Sequence, residues 1–158
     1  MSSQDSRFKY EKSAKVALSA EELFQYHTNI FNICQMIPSY IKIRVIEGSE
    51  HLVSGNTVRL QVNISGFSFL WESVLEDYKK NEYFSDRMIK GPFKSWHHLH
   101  LFQQTDHGTI LTDQIDYDIP LGIFGSVVEK FLVRNIINKI FTIRYNFDIG
   151  KSQNSCLI

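Results

Sequence analysis

Residues 91–120 read GPFKSWHHLHLFQQTDHGTILTDQIDYDIP, a pattern that predicts two β-strands joined by the polar turn QQTDHG. Side chains alternate between the two faces of a strand. One face of the first strand carries Trp96, His98, His100 and Phe102, and one face of the second carries Leu111, Asp113, Ile115 and Tyr117. Two imidazoles and a carboxylate among large apolar groups are costly to bury unless they are paired or line a cavity. We therefore expect the functional site on this face.

The turn predicts how the two strands pair. If Phe102 lies opposite Leu111, then His100 lies opposite Asp113. The same register pairs His98 with Ile115 and Trp96 with Tyr117. Asp113 would then fix one ring nitrogen of His100 and raise the pKa of that histidine. Asp86, on the preceding strand, is predicted to reach the same wall. A slip of one residue would turn the whole set to the opposite face.

Three roles are open to this histidine–aspartate set. It is a structural hydrogen-bond network, a set of contacts to a ligand, or a proton-transfer pair in which Asp113 orients His100. A metal site is not expected, because His97 points to the opposite face from His98 and His100. Only these two histidines and Asp113 would then remain as ligands. Solvent exposure is expected for the other three histidines, His27, His51 and His107.

The composition indicates one folded domain that does not bind nucleic acid. The 158 residues are predicted to form a single domain over 1–158, with a folded core over about 8–148 and a tail over 149–158. The 17 basic and 17 acidic residues cancel, whereas nucleic-acid binding usually requires a basic surface. Aromatic residues make up 13% of the chain, which favours a large apolar core or pocket.

The termini and the cysteines give no sign of export, membrane insertion or a cofactor. Residues 1–13, MSSQDSRFKYEKS, lack the apolar segment of a signal peptide, and no run reaches the ~18 apolar residues of a membrane-spanning helix. Cys34 and Cys156 form no metal or redox motif and are expected to be free thiols in the cytoplasm. Neither a glycine-rich phosphate loop nor a nucleophile elbow is present, so no cofactor is expected.

The segments before the hairpin predict strands and two short helices. Residues 8–18 are predicted to form a strand, after which Ser19 and Glu22 form a capping box. The box opens a short helix over about 20–27, and a second short helix is predicted over about 30–36. Four alternating segments then precede the hairpin and predict four further strands.

A long helix is predicted after Pro120. Apolar residues recur at helical spacing up to about Asp148, and at ~1.5 Å per residue such a helix spans roughly 40 Å. Strands that follow one another through short turns form an antiparallel sheet. The sequence thus predicts an α+β fold in which a curved antiparallel β-sheet wraps around a long C-terminal helix, with two short helices after the first strand.

Several motifs resemble the START/birch-pollen-allergen superfamily, SRPBCC, and within it the bacterial ligand-binding or cyclase/dehydrase-like proteins. The motifs are Trp71-Glu72-Ser73, Phe84-x-Asp86, Trp96-x-His98-x-His100-x-Phe102, Thr112-Asp113-x-x-x-Tyr117-x-x-Pro120-x-Gly122 and Phe141-x-x-Arg144. The resemblance extends from about Phe8 to Asp148. It implies a helix-grip fold with a deep apolar cavity between the sheet and the long helix.

The resemblance also implies the binding of lipids, sterols, polyketides or other hydrophobic molecules. The first hypothesis is therefore a binding protein for a hydrophobic small molecule. The residues expected to form its site are Trp71, Asp86, Trp96, His98, His100, Phe102, Asp113, Tyr117, Phe131, Ile137 and Phe141. Some members of the superfamily are aromatase/cyclases, so the second hypothesis is a cyclase or dehydratase that uses His100 and Asp113. The third is an interaction module whose ligand modulates a partner contact. The ligand's identity and the oligomeric state stay open.

Overall fold

The computed structural model of the chain describes residues 8–120 and 124–155, without the side chains of residue 34 and residues 151–155. Seven strands occur in this part: β1 (Phe8–Val16), β2 (Ile41–Glu47), β3 (Thr57–Ile64), β4 (Phe67–Lys79), β5 (Tyr83–Lys90), β6 (Ser95–Thr105) and β7 (Gly108–Asp118). The helical segments are α1 (Ala20–Thr28), a 3₁₀ helix (Ile30–Gln35), α2 (Gly125–Val128), a π-helical turn (Glu129–Val133) and α3 (Arg134–Ser155). The motif residue Gly122 and the cysteine Cys156 lie outside the described residues.

The strands form one antiparallel sheet in the order β1-β7-β6-β5-β4-β3-β2. Strands β2 to β7 lie beside their chain neighbours and so form a meander, and β1 closes against β7. The sheet wraps the C-terminal helix, which confirms the predicted α+β helix-grip fold. Ser19 caps α1 in the predicted capping box, with its hydroxyl accepting from the Glu22 amide and Glu22 accepting from the Ser19 amide.

The β6–β7 hairpin has the predicted register. Phe102 pairs with Leu111 and His100 with Asp113. The connecting turn is narrow, because Thr105 pairs with Gly108 across two intervening residues. Gly108 has φ of 118°, and a Cβ there would collide with the backbone of β1 at Val16. Glycine at this position therefore holds the turn, and with it the register that turns His98 and His100 toward the helix.

A C-terminal helix over residues 125–155 is built from α2, the π-helical turn and α3. The predicted end near Asp148 is wrong, because the helix continues to residue 155. Gly150 does not end it. A glycine inside a helix costs about 1 kcal/mol relative to alanine, whereas only proline in this position would remove a hydrogen bond and clash with the preceding turn.

The π-helical turn presents Glu129 rather than an apolar residue to the sheet. Glu129 is 5% exposed and accepts hydrogen bonds from the Tyr117 hydroxyl and from Arg134 Nε, each at 2.7 Å. Phe131, two residues further along, lies on the opposite side of the turn and is 69% exposed. The prediction that Phe131 lines the cavity is therefore wrong. Phe131 lies six residues before Ile137, roughly 240° around a helix of 3.6 residues per turn, and so faces away from the side that Ile137 and Phe141 share.

Candidate functional site

A cavity of about 400 Å³ lies between the sheet and the C-terminal helix. Strands β2 and β3 contribute branched aliphatic side chains, among them Ile43, Leu60 and Val62. The 3₁₀ helix contributes Ile30 and Ile33. From α3 come Ile136, Ile137, Ile140 and Phe141. The volume falls within the range of about 300–1,000 Å³ that is usual for small-molecule sites, and most of the wall is apolar.

Seven of the eleven predicted site residues line this cavity: Trp71, Asp86, Trp96, His98, His100, Ile137 and Phe141. The two indoles meet edge to face, with the ring centroids of Trp71 and Trp96 5.4 Å apart. Phe93 packs against both rings, at 6.0 Å from Trp71 and 4.7 Å from Trp96. The three rings form an aromatic end of the wall. Contact between the seven residues and a ligand stays a prediction.

Three other predicted residues lie in the packed core beside the cavity. Phe102 is 3% exposed and is covered by Phe24 of α1, with ring centroids 5.3 Å apart. Tyr117 is fully buried under the π-helical turn, where its hydroxyl meets Glu129. Asp113 is fully buried behind the two histidines. These three residues position the wall and do not form its surface.

His98 and His100 stand side by side between two carboxylates. Their ring centroids are 3.7 Å apart, because alternate residues of β6 point to the same face. Asp113 Oδ1 lies 2.8 Å from His98 Nε2 and 2.8 Å from His100 Nδ1. On the other side, Asp86 Oδ2 lies 3.7 Å from His98 Nδ1 and 3.6 Å from His100 Nε2. Of these four pairs, His98–Asp113 has the geometry of a hydrogen bond.

The order of the strands explains this arrangement. β6 lies between β5 and β7, and the register places His98 opposite Asp86 and His100 opposite Asp113. Each histidine is thus directly across from one carboxylate and diagonal to the other. His100 and Asp113 lie close together, as predicted. The hydrogen bond to Asp113, however, comes from His98, which lies diagonally across from Asp113.

The two histidines have opposite electrostatic environments. Burial, together with the neighbouring His100, lowers the pKa of His98 to about 4. Burial also acts against protonation of His100, but Asp113 and Asp86 outweigh it and raise the pKa of His100. Burial alone would raise the pKa of Asp113, yet His100 and His98 hold it well below its usual value. The two rings therefore differ in basicity, and His100 is the stronger base of the pair.

Arg144 joins the cluster from α3, although it was not among the predicted site residues. One of its Nη atoms lies 3.8 Å from Asp113 Oδ1, and its guanidinium lies over the Phe141 ring at 5.3 Å. Arg144 is 9% exposed and contributes to the cavity wall. The spacing Phe141-x-x-Arg144 indicates in the sequence that Arg144 faces the cavity. Residues three apart share a helix face, and Phe141 was already expected inside.

The prediction that His27 is exposed to solvent is wrong. His27 is 7% exposed, and its Nε2 lies 3.2 Å from Asp148 Oδ2. This pair connects α1 to α3 and is itself fully buried at both side chains. His27 also reaches the cavity wall, with its ring centroid 6.2 Å from that of His100. The partner lies 121 residues away along the chain, so no local pattern marks this histidine as buried.

An antiparallel sheet wrapped around a C-terminal helix, with an apolar cavity between them, defines a helix-grip protein. The family model described as polyketide cyclase/dehydrase and lipid transport matches residues 16–141. The chain belongs to this family, and the predicted SRPBCC resemblance is confirmed. No curated protein matches the chain.

Several solved structures share the fold. A START superfamily protein from Mycobacterium smegmatis is 19% identical, with a TM-score of 0.69 over 92% of this chain and 97% of that chain. The Zhui aromatase/cyclase from Streptomyces sp. R1128 is 15% identical, with a TM-score of 0.71 over 92% and 93%. The di-domain ARO/CYC StfQ from the steffimycin biosynthetic pathway is 14% identical, with a TM-score of 0.77 over 98% and 53%. At these identities the likeness shows the fold alone.

Proposed function

We propose that the protein binds a hydrophobic small molecule, such as a lipid, a polyketide or an aromatic compound, in the cavity between the sheet and the C-terminal helix. The observation that carries this proposal is an apolar cavity of about 400 Å³ whose wall is interrupted by Asp86, His98 and His100. A ligand with an apolar body and one polar end fits this division of the wall.

The apolar wall supplies the binding free energy in this proposal, and the polar cluster supplies the orientation. Burial of about 300 Å² of apolar ligand surface would contribute ~7 kcal/mol before the costs of association. The ligand's polar end would face the cluster, where His100 and Arg144 donate hydrogen bonds and Asp86 accepts them. A ligand without a polar end would leave these groups unpaired and would bind more weakly.

Native mass spectrometry after gentle purification tests the proposal, followed by titration with the fluorescent apolar probe 1-anilinonaphthalene-8-sulfonate. Val133 lines the cavity, whereas Val127, on the same helix, is 58% exposed. Val133→Trp should fill part of the cavity and weaken probe binding by 10-fold or more, and Val127→Trp is the matched control. A wild-type protein that carries no lipid-like mass and takes up no probe would contradict the proposal. Equal effects of the two variants would contradict the cavity as the site.

A second candidate function is catalysis of the cyclase or dehydratase type. It is favoured by the position of His98 and His100 on the cavity wall with Asp113 behind them, since a general acid or base must reach its substrate. His100→Gln separates the two functions when it is assayed with a linear poly-β-ketone substrate. Loss of product formation with retained ligand binding would support catalysis, and an inactive wild-type protein that still binds the compound would support binding alone.

Among the described residues, no helix has the length and apolar character needed to cross a membrane. A cytoplasmic location and the absence of nucleic-acid partners stay predictions from the sequence. A contact with another protein that the ligand modulates is likewise a prediction, and it depends on the binding proposed here.

A further inference from the structure

Three donor atoms converge at the cavity wall in a way that the binding of an apolar molecule does not require. Asp86 Oδ2, His98 Nδ1 and His100 Nε2 all lie within 4.8 Å of one another. The two nitrogen-to-oxygen separations, 3.7 Å and 3.6 Å, are too long for hydrogen bonds. They suit three atoms arranged around a small cation.

We propose that Asp86, His98 and His100 form a binding site for a divalent transition metal ion. The proposal goes beyond the ligand-binding function above and does not depend on it. Two imidazoles and one carboxylate are a donor set that Zn²⁺ and Fe²⁺ accept. Sequence reasoning missed the site because it took Asp113 as the third ligand, whereas the fold brings Asp86 to the open side of the rings.

The separations are close to those of a metal site. Ligand atoms about 2.1 Å from a tetrahedral ion lie about 3.4 Å apart. The separations of Asp86 Oδ2 from His98 Nδ1 and from His100 Nε2 exceed that value by a few tenths of an ångström. The Asp86 side chain is 18% exposed, so its carboxylate has room to move toward the rings. A small inward rotation of this side chain would shorten both separations, while the two ring nitrogens lie within 4.8 Å of each other.

Asp113 supplies the support that a histidine ligand requires. A metal-bound imidazole usually has its second nitrogen held by a carboxylate or a carbonyl group, which fixes the ring and strengthens the ligand. Asp113 Oδ1 lies 2.8 Å from His98 Nε2 and from His100 Nδ1, the nitrogens that point away from Asp86. One buried carboxylate thus orients both rings, with His98 Nδ1 and His100 Nε2 directed at Asp86.

The charges around the site favour a dication. Asp86 and Asp113 are carboxylates, and the guanidinium of Arg144 lies 3.8 Å from Asp113. With both imidazoles neutral, the two carboxylates and the guanidinium give the cluster a net charge of −1. A bound divalent ion would change this net charge to +1. All three ligands line the cavity, so a bound ion would keep a coordination position open toward it. That position would take water or an oxygen atom at the polar end of a cavity ligand.

Titration of untagged, chelator-treated protein with Co²⁺, followed by visible absorption, tests the proposal. We expect one Co²⁺ per chain with the absorption of a four- or five-coordinate nitrogen and oxygen site, and without thiolate charge transfer. Asp86→Asn and His100→Gln should each weaken binding by about 10-fold or more. Asp113→Asn should weaken it by about 10–100-fold through loss of ring support. His97→Gln is the matched control, because His97 is next to His98 in β6 but points to the opposite face of the strand.

Nuclear magnetic resonance of the histidine rings with Zn²⁺ keeps the test independent of variants that fail to fold. One equivalent of Zn²⁺ should shift Nδ1 of His98 and Nε2 of His100, while the rings of His51 and His107 stay unchanged. No binding, or ring shifts confined to other histidines, would overturn the proposal. So would retained affinity in both Asp86→Asn and His100→Gln. The metal titrations contain no apolar ligand. Failure of the metal proposal therefore leaves the cavity-binding proposal intact, and failure of cavity binding leaves the metal proposal intact.

Discussion

At the scale of single residues, Asp113 is the buried group on which the histidine pair depends. It is fully buried, accepts a hydrogen bond from His98, and its amide donates to the Tyr145 hydroxyl. Asp113→Asn removes the charge and leaves part of the cluster unpaired, so we expect a loss of about 1–3 kcal/mol in the free energy of unfolding. Urea unfolding measures this loss. Asp106→Asn, in the exposed turn, should change stability little, and equal effects would contradict the assigned role.

His27 predicts a pH dependence of stability. Burial lowers the pKa of His27 despite its hydrogen bond to Asp148 and the nearby Asp113, and Arg144 adds to the lowering. A histidine with a lowered pKa in the folded state takes up its proton mainly in the unfolded state. The contribution of His27 to the free energy of unfolding is therefore fully present above the pKa of about 6.5 that the histidine has in the unfolded chain. It declines as the pH falls below that value.

Urea unfolding of the wild type and His27→Gln between pH 7.5 and pH 5 measures this contribution. The wild type should lose more stability across this window than His27→Gln, because the variant lacks the group that titrates. His51→Gln replaces an exposed histidine and should keep the wild-type slope. Identical slopes for the wild type and His27→Gln would show that burial of His27 does not govern the pH dependence.

The residue scale also shows what sequence can predict. Alternation along a strand and one narrow turn were sufficient to place His100 opposite Asp113, because strand pairing transmits register over many residues. The same reasoning placed Asp86 near the wall but did not show that it faces the histidine nitrogens opposite Asp113. The His27–Asp148 pair had no such signal, since helix packing and not a repeat brings those residues together.

At the scale of elements, the π-helical turn (Glu129–Val133) is where the C-terminal helix meets β7 through polar contacts. The buried Glu129 accepts from Tyr117 and from Arg134, so its removal leaves a buried hydroxyl without an acceptor. We expect Glu129→Ala to cost about 1–3 kcal/mol by chemical denaturation. Tyr117→Phe should cost less once Glu129 is already absent, which a double-mutant cycle measures. Lys130→Ala, at the neighbouring exposed position, is the control.

The inner face of the C-terminal helix was predicted only in part, because the helix is apolar on more than one side. A regular helical period correctly places Ile137 and Phe141 inside, because they follow the turn in regular α-helix. Phe131 is exposed because six residues, and not three, four or seven, separate it from Ile137, so the two side chains point to different sides of the helix. By contrast, the capping box at Ser19 was predictable, because both of its hydrogen bonds lie within four residues of chain.

At the scale of the whole molecule, the fold divides its apolar residues between a packed core and a cavity wall. Leu111 is fully buried in the packed part, whereas Leu60 is 5% exposed and lines the cavity. A side chain at a cavity wall has partner atoms on one side only, so its packing contributes less to stability. The division predicts that equally buried leucines contribute unequally to folding and to binding.

Leu111→Ala and Leu60→Ala test this division with the same chemical change. Truncation in the packed part removes the transfer free energy and also creates a new void, so Leu111→Ala should cost near the upper end of about 2–5 kcal/mol. Leu60→Ala enlarges a void that already exists and should fall near the lower end of that range. Urea unfolding measures both costs, and a saturating apolar ligand should increase the cost of Leu60→Ala alone. Equal costs without ligand, together with an equal response to ligand, would contradict a binding cavity at this position.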